Sequence, residues 1–244
     1  KREESFHFNS FNNKLKEFSM AIKFNFQYNE SMFTNLDVKV DRQKWFQKRY
    51  GGKTIVTADN LGSMNFLRDS EREFMRNYNM QGAYLADKDK VILKYLNPTL
   101  KAFFAFCSIF SKNLRKQFKA MLNVDKNILP HELLHAVQFR NFYLDGRTIR
   151  EVNTELSGLY FATPKMQALL KELEQVQYEA EIDAYCFDCV RLGTGTADDI
   201  ANVLSTMYPV ALKVCKDAAE IKADAEARME YIRENFHMFK PIMG

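Results

Sequence analysis

Glycine and proline are scarce, nine and five in 244 residues, and that scarcity excludes a turn-rich sandwich of many short strands as well as a collagen-like chain. Four cysteines are too few for a disulfide framework. Cys186 and Cys189 sit three apart where a helix is predicted, so reduced thiols and a reducing compartment are the expectation. No apolar run approaches the roughly 20 residues of a membrane span; the longest, residues 102–110, is broken by Ser108 and bracketed by Lys101 and Lys112. It reads as a buried core helix, and no membrane partner is expected. No apolar segment follows the opening Lys1-Arg2 pair, so no secretory signal is visible there. Charge is nearly balanced, 35 basic against 31 acidic residues for a net of +4, which leaves nucleic acid unexpected as a partner. The one concentrated basic run, Lys112, Arg115, Lys116 and Lys119, has the spacing of a single solvated helix face.

What is abundant is aromatic and apolar: 21 Phe, 11 Tyr and 11 Met, with 46% hydrophobic residues overall, enough for a sizeable core built from helices with aromatic packing. Alternating apolar and polar residues predict strands over 21–28 and 36–40, with a short extended piece at 54–57. Helical spacing of Phe66, Leu67, Phe74 and Met75 predicts a helix over 64–78. Two apolar runs around the charged turn at 87–90 predict a hairpin spanning 82–95. Beyond Asn97-Pro98 helical periodicity takes over, punctuated at 123–127, Asp145-Gly146, Thr163-Pro164, Gly193 and Gly195. Thr163 as N-cap, Pro164 in the first turn and Gly193 as C-cap delimit a helix over 164–192. The expected architecture is one α+β domain over 1–244, predominantly helical, with a mixed part (1–97) and a helical part (98–244).

The chemistry is concentrated in Pro130-His131-Glu132-Leu133-Leu134-His135. On a helix, residues four apart leave the same face, so His131 and His135 can bring two ring nitrogens to one ion at the roughly 2.0–2.1 Å typical of zinc. Glu132 can then approach a water on that ion without ligating the metal. A catalytic zinc usually takes three protein donors. Downstream, Glu179 and Asp183 again lie four apart on one helix face; Glu179 is the candidate third donor, while Asp183 can accept the second N–H of a liganding histidine.

His131-Glu132-x-x-His135 followed by Glu179-x-x-x-Asp183 resembles the gluzincin group of zinc metallopeptidases. The resemblance covers roughly residues 127–192. It implies a zincin-like fold with a small sheet beside the active-site helix, Zn2+ held by His131, His135 and Glu179, Asp183 behind a ligand, and Glu132 as general base in the hydrolysis of a peptide or protein substrate. A non-catalytic structural or virion-associated protein that keeps the fold is the alternative. The metzincin pattern fails because position 141 is Asn and no histidine occurs between His135 and His237. Asp198, after Gly193-Thr194-Gly195, faintly echoes the aspzincin donor but is expected to cap the helix that follows. Tyr84, Tyr185, Tyr208 and His237 are the candidates for stabilising an oxyanion.

Overall fold

The computed structural model describes residues 26–34, 36–50, 53–58, 82–96, 102, 105–106, 108–110, 115, 124–157, 163–207 and 217–243, with the backbone alone at 42–50, 53–58, 94–96, 124–125, 157 and 206–207. The predicted helix over 64–78, the first part of the strand over 21–28 and the junction at Pro98 lie outside these residues. The fold is α+β and predominantly helical, as its composition implies. It divides into two compact units, one formed by residues up to 27 and 160–234, the other by 28–159 and 235–244.

In the unit containing residues 28–159, a one-turn helix α1 (Ser31–Thr34) precedes four strands: β1 (Lys39–Tyr50), β2 (Lys53–Ala58), β3 (Gly82–Leu85) and β4 (Lys90–Leu96). Their order is β2-β1-β4-β3. β2 pairs antiparallel with β1, and β3 antiparallel with β4 as the predicted hairpin, with Tyr84 opposite Val91. β1 and β4 run parallel, Lys39 opposite Lys90. Residues 36–38 precede β1 rather than forming part of it. Two helices follow, α2 (Val124–Asn127) and α3 (Leu129–Asn141), then the strand pair β5 (Tyr143–Leu144) and β6 (Arg147–Thr148), and α4 (Ile149–Ser157). Asp145 and Gly146 both take positive φ, 52° and 73°, the backbone that a two-residue hairpin turn demands and glycine tolerates. Val91 and Leu93 of β4 are fully buried, with Ile128, Leu129 and Leu133 packed on them. That contact seats α3 on the sheet.

A 3-10 helix (Phe236–Ile242) closes this unit. Its Phe239 lies 5.2 Å from the Tyr28 ring and 5.1 Å from Phe33, and Tyr28 meets Phe142 edge-on at 5.6 Å. Such tilted pairs contribute about 0.5–1.5 kcal/mol each beyond their burial. The described members of the run 102–110 are helical, but the expected burial fails: Phe106, Ile109 and Phe110 are 62%, 65% and 76% exposed. The run is apolar all round, so hydrophobicity alone names no face to cover, and this side is left open.

The other described unit is a helical group: α5 (Pro164–Leu192), α6 (Ala197–Met207) and α7 (Ala218–Glu234). α5 has the predicted bounds. Thr163 Oγ1 accepts the Met166 amide, and Gly193, at φ 63°, donates its N–H back to the last turn. α6 corrects one expectation. Thr196 caps it, its hydroxyl accepting the Asp199 amide while Asp199 accepts Thr196 N–H, because the cap needs its own side chain just before the first turn. Asp198 stands two residues too late, inside α6, exposed and 2.9 Å from Lys222 Nζ. Cys186 is fully buried with Sγ 3.6 Å from the Ala225 carbonyl oxygen. Neither Cys186 nor Cys189 is in a disulfide.

Candidate metal centre

α3 carries the centre, and its sequence explains its rigidity. Pro130 sits in the first turn, where a missing N–H costs least, and Leu134, Ala136 and Val137 have no exposure at all. A helix so enclosed fixes the direction of every side chain on it. His131 and His135, one turn apart, cross their rings at 80° with centroids 4.8 Å apart, and their Nε2 atoms lie 3.2 Å apart. Two donors of a tetrahedral zinc at typical bond lengths would stand roughly 3.3–3.4 Å from each other. The pair therefore fits one small cation.

The tautomer fits too. His135 Nδ1 lies 2.9 Å from Gln138 Oε1, and Gln138 Nε2 donates to the Tyr28 hydroxyl at 2.9 Å. Gln138 is fully buried. With its amide nitrogen directed to Tyr28, its oxygen takes the Nδ1 proton and leaves the His135 Nε2 lone pair toward His131. The second-nitrogen role expected of Asp183 is filled for His135 by Gln138, a neighbour one turn along the same helix. Partners of this kind typically change metal affinity 10–100-fold. Gln138→Leu should weaken zinc binding by about that factor in a chelator competition, and Gln138→Glu should restore it.

Glu132 is buried, and its Oε2 accepts the backbone N–H of Tyr84 at 2.8 Å. That amide belongs to β3, an edge of the four-stranded sheet. The close approach depends on Gly82: a Cβ there would lie 2.7 Å from Ile128 Cγ2 and 3.3 Å from Glu132 Cγ. The Tyr84 hydroxyl, an oxyanion candidate by sequence, instead donates to Asp89 Oδ1 at 2.7 Å. Burial and then this bond push the phenol well above its ordinary range.

Asp89, at φ 49° in the β3–β4 turn, also receives Arg140 from α3 through both oxygens, at 3.0 and 2.5 Å. Arg150 of α4 lies 3.6 Å from it. Burial raises the Asp89 pKa, but the hydrogen bonds from Arg140 and Tyr84 outweigh it, and the net shift is downward. A depressed carboxylate contributes stability that is present above its unfolded value, near 3.9, and lost as pH falls through its lower folded value. Acid melting should therefore include an increment from this turn below about pH 4. Asp89→Asn should remove that increment while lowering stability at neutral pH.

The acidic segment of α5 has a different anchor. Arg228 of α7 donates Nη1 to the Glu179 carbonyl at 3.0 Å and lies 3.3 Å from Asp183 Oδ1; Nη2 meets Glu179 Oε2 and, at 3.1 Å, Asp224 Oδ2. Burial opposes the guanidinium charge, but Asp183, Glu179 and Asp224 outweigh it and raise its pKa. Glu179 and Asp183 share a face as the spacing predicts, and that face meets α7. Glu181, two residues and about 200° around the helix from Glu179, leaves the opposite side. His237 lies exposed, 3.6 Å from Glu30, and Tyr208 falls outside the described residues.

No known family model, curated protein or solved structure matches this chain.

Two residues escape a reading from sequence. Gln138 gives a partial signal, a polar residue three positions after a motif histidine, but its Tyr28 partner is 110 residues away. Arg228 sits in a run of alternating charges, which ordinarily marks a solvated helix.

Proposed function

We propose that this chain is a zinc-dependent peptidase with a zincin-like fold, in which His131 and His135 hold the metal, a carboxylate of α5 is the third donor, and Glu132 is the general base. The observation that carries this reading is the pair of Nε2 atoms at 3.2 Å with His135 oriented by Gln138. Zinc, when bound, supplies a Lewis acid that polarises the scissile carbonyl and acidifies water. Glu132 would take the proton from the attacking water on its carboxylate and return it to the leaving amine. The Tyr84 amide holds Oε2 in position, so the carboxylate acts from a fixed direction.

Glu179 is the third donor implied by the gluzincin resemblance. Its hold on Arg228 makes Glu181 the competing donor. Zinc affinities of Glu179→Gln and Glu181→Gln, measured by chelator competition, decide between them: the larger loss marks the donor. Digestion of a peptide library with and without chelator tests the activity, with zinc-dependent cleavage expected. The second reading, a non-catalytic protein on the same fold, is favoured by the commitment of Glu179 to Arg228. Stoichiometric zinc without cleavage would establish it.

A further inference from the structure

We propose that the helical segment around Phe106 is a docking surface for an anionic lipid bilayer, with Phe106, Ile109 and Phe110 entering the acyl boundary and the basic residues after them meeting the headgroups. Phe106, Ile109 and Phe110 are spaced i, i+3, i+4, so they share one helix face, and all three are more than half exposed. Phe106 and Phe110 meet edge-on at 5.4 Å, forming one contiguous apolar ridge. Among the described residues, the other exposed large apolar side chains, Tyr143, Leu192 and Val203, are scattered over three elements.

Charge identifies the occupant. From position 97, just after β4, to 124 the chain has five basic residues and no acidic one, although it holds 31 acidic residues in all. A merely solvated surface would mix the signs. Exposed Arg115 ties the two blocks together, its Nε donating to the Ser108 carbonyl at 3.2 Å. A second copy would bring the same positive charge to this face and be repelled. A nucleic acid would favour basic and aromatic residues interleaved, whereas residues 102–110 carry no charge and the basic cluster Lys112, Arg115, Lys116 and Lys119 comes afterwards. An apolar block too short to span, followed by cations, is the pattern of a segment lying in the interface plane.

Sedimentation with phosphatidylcholine vesicles, with and without phosphatidylserine, tests this on the whole chain. Binding should require phosphatidylserine and fall as salt rises, since each interfacial cation strengthens it roughly fivefold and is screened. The double variant Lys112→Gln/Arg115→Gln should weaken binding roughly 25-fold. Phe106→Ser/Phe110→Ser should abolish it with the melting temperature unchanged. Equal binding to neutral vesicles, undiminished binding by either variant, binding of a single-stranded oligonucleotide in place of vesicles, or a sharp fall in melting temperature for the phenylalanine variant would each overturn the proposal.

Discussion

Glu132→Gln is expected to lower the turnover of a cleaved peptide by two to four orders of magnitude while zinc content stays unchanged. Positioned proton transfer supplies about 10²- to 10⁴-fold in rate, and glutamine keeps the volume and the acceptor oxygen that receives the Tyr84 amide. The variant therefore removes only the ability to take and return a proton. Metal analysis beside steady-state kinetics separates the possible results. Loss of zinc would show that Glu132 shapes the centre, and full activity with zinc bound would show that another group moves the proton. A loss of turnover with little change in KM is the pattern of an interaction made chiefly in the transition state.

The largest effect on stability should come from Arg228→Met. The arginine side chain is 11% exposed, and the Glu179 and Asp183 side chains are each 5% exposed. Methionine fills much of the volume but leaves the carboxylates of Glu179 and Asp183 buried without their cation. Removing one partner of such a set typically costs about 3–5 kcal/mol, because the remaining charge is stranded. Thermal or denaturant unfolding of the variant should show that loss, with Arg228→Lys intermediate because a point charge cannot reproduce the planar fork. A loss below about 1 kcal/mol would show that these carboxylates reach water without arginine.

Local chemistry was readable from residues; long-range pairing was not. Thr163, Pro164 and Gly193 delimit α5 because capping depends on a few neighbouring residues. The β3–β4 hairpin follows from two apolar runs and a charged turn. The parallel pairing of β1 with β4 left no comparable local mark, since it joins segments some fifty residues apart. At the candidate centre, the i, i+4 histidines were legible as a helix face. The Gln138 to Tyr28 relay was not, because it depends on an aromatic cluster assembled from both ends of its unit. The exposure of Phe106 was missed for a related reason: hydrophobicity measures the cost of water contact, not whether the fold provides a cover. Asp183 shows the limit of spacing alone. Its face was predicted correctly, and its Arg228 partner came from a helix that spacing cannot orient.

The placement of Cys186 makes the helical unit a recorder of its own breathing. Burial raises this thiol's pKa far above its ordinary value, so an alkylating reagent finds almost no thiolate while α5 and α7 stay together. Modification of this sulfur, followed by mass spectrometry of the peptide that contains it, would therefore time the excursions in which the two helices part.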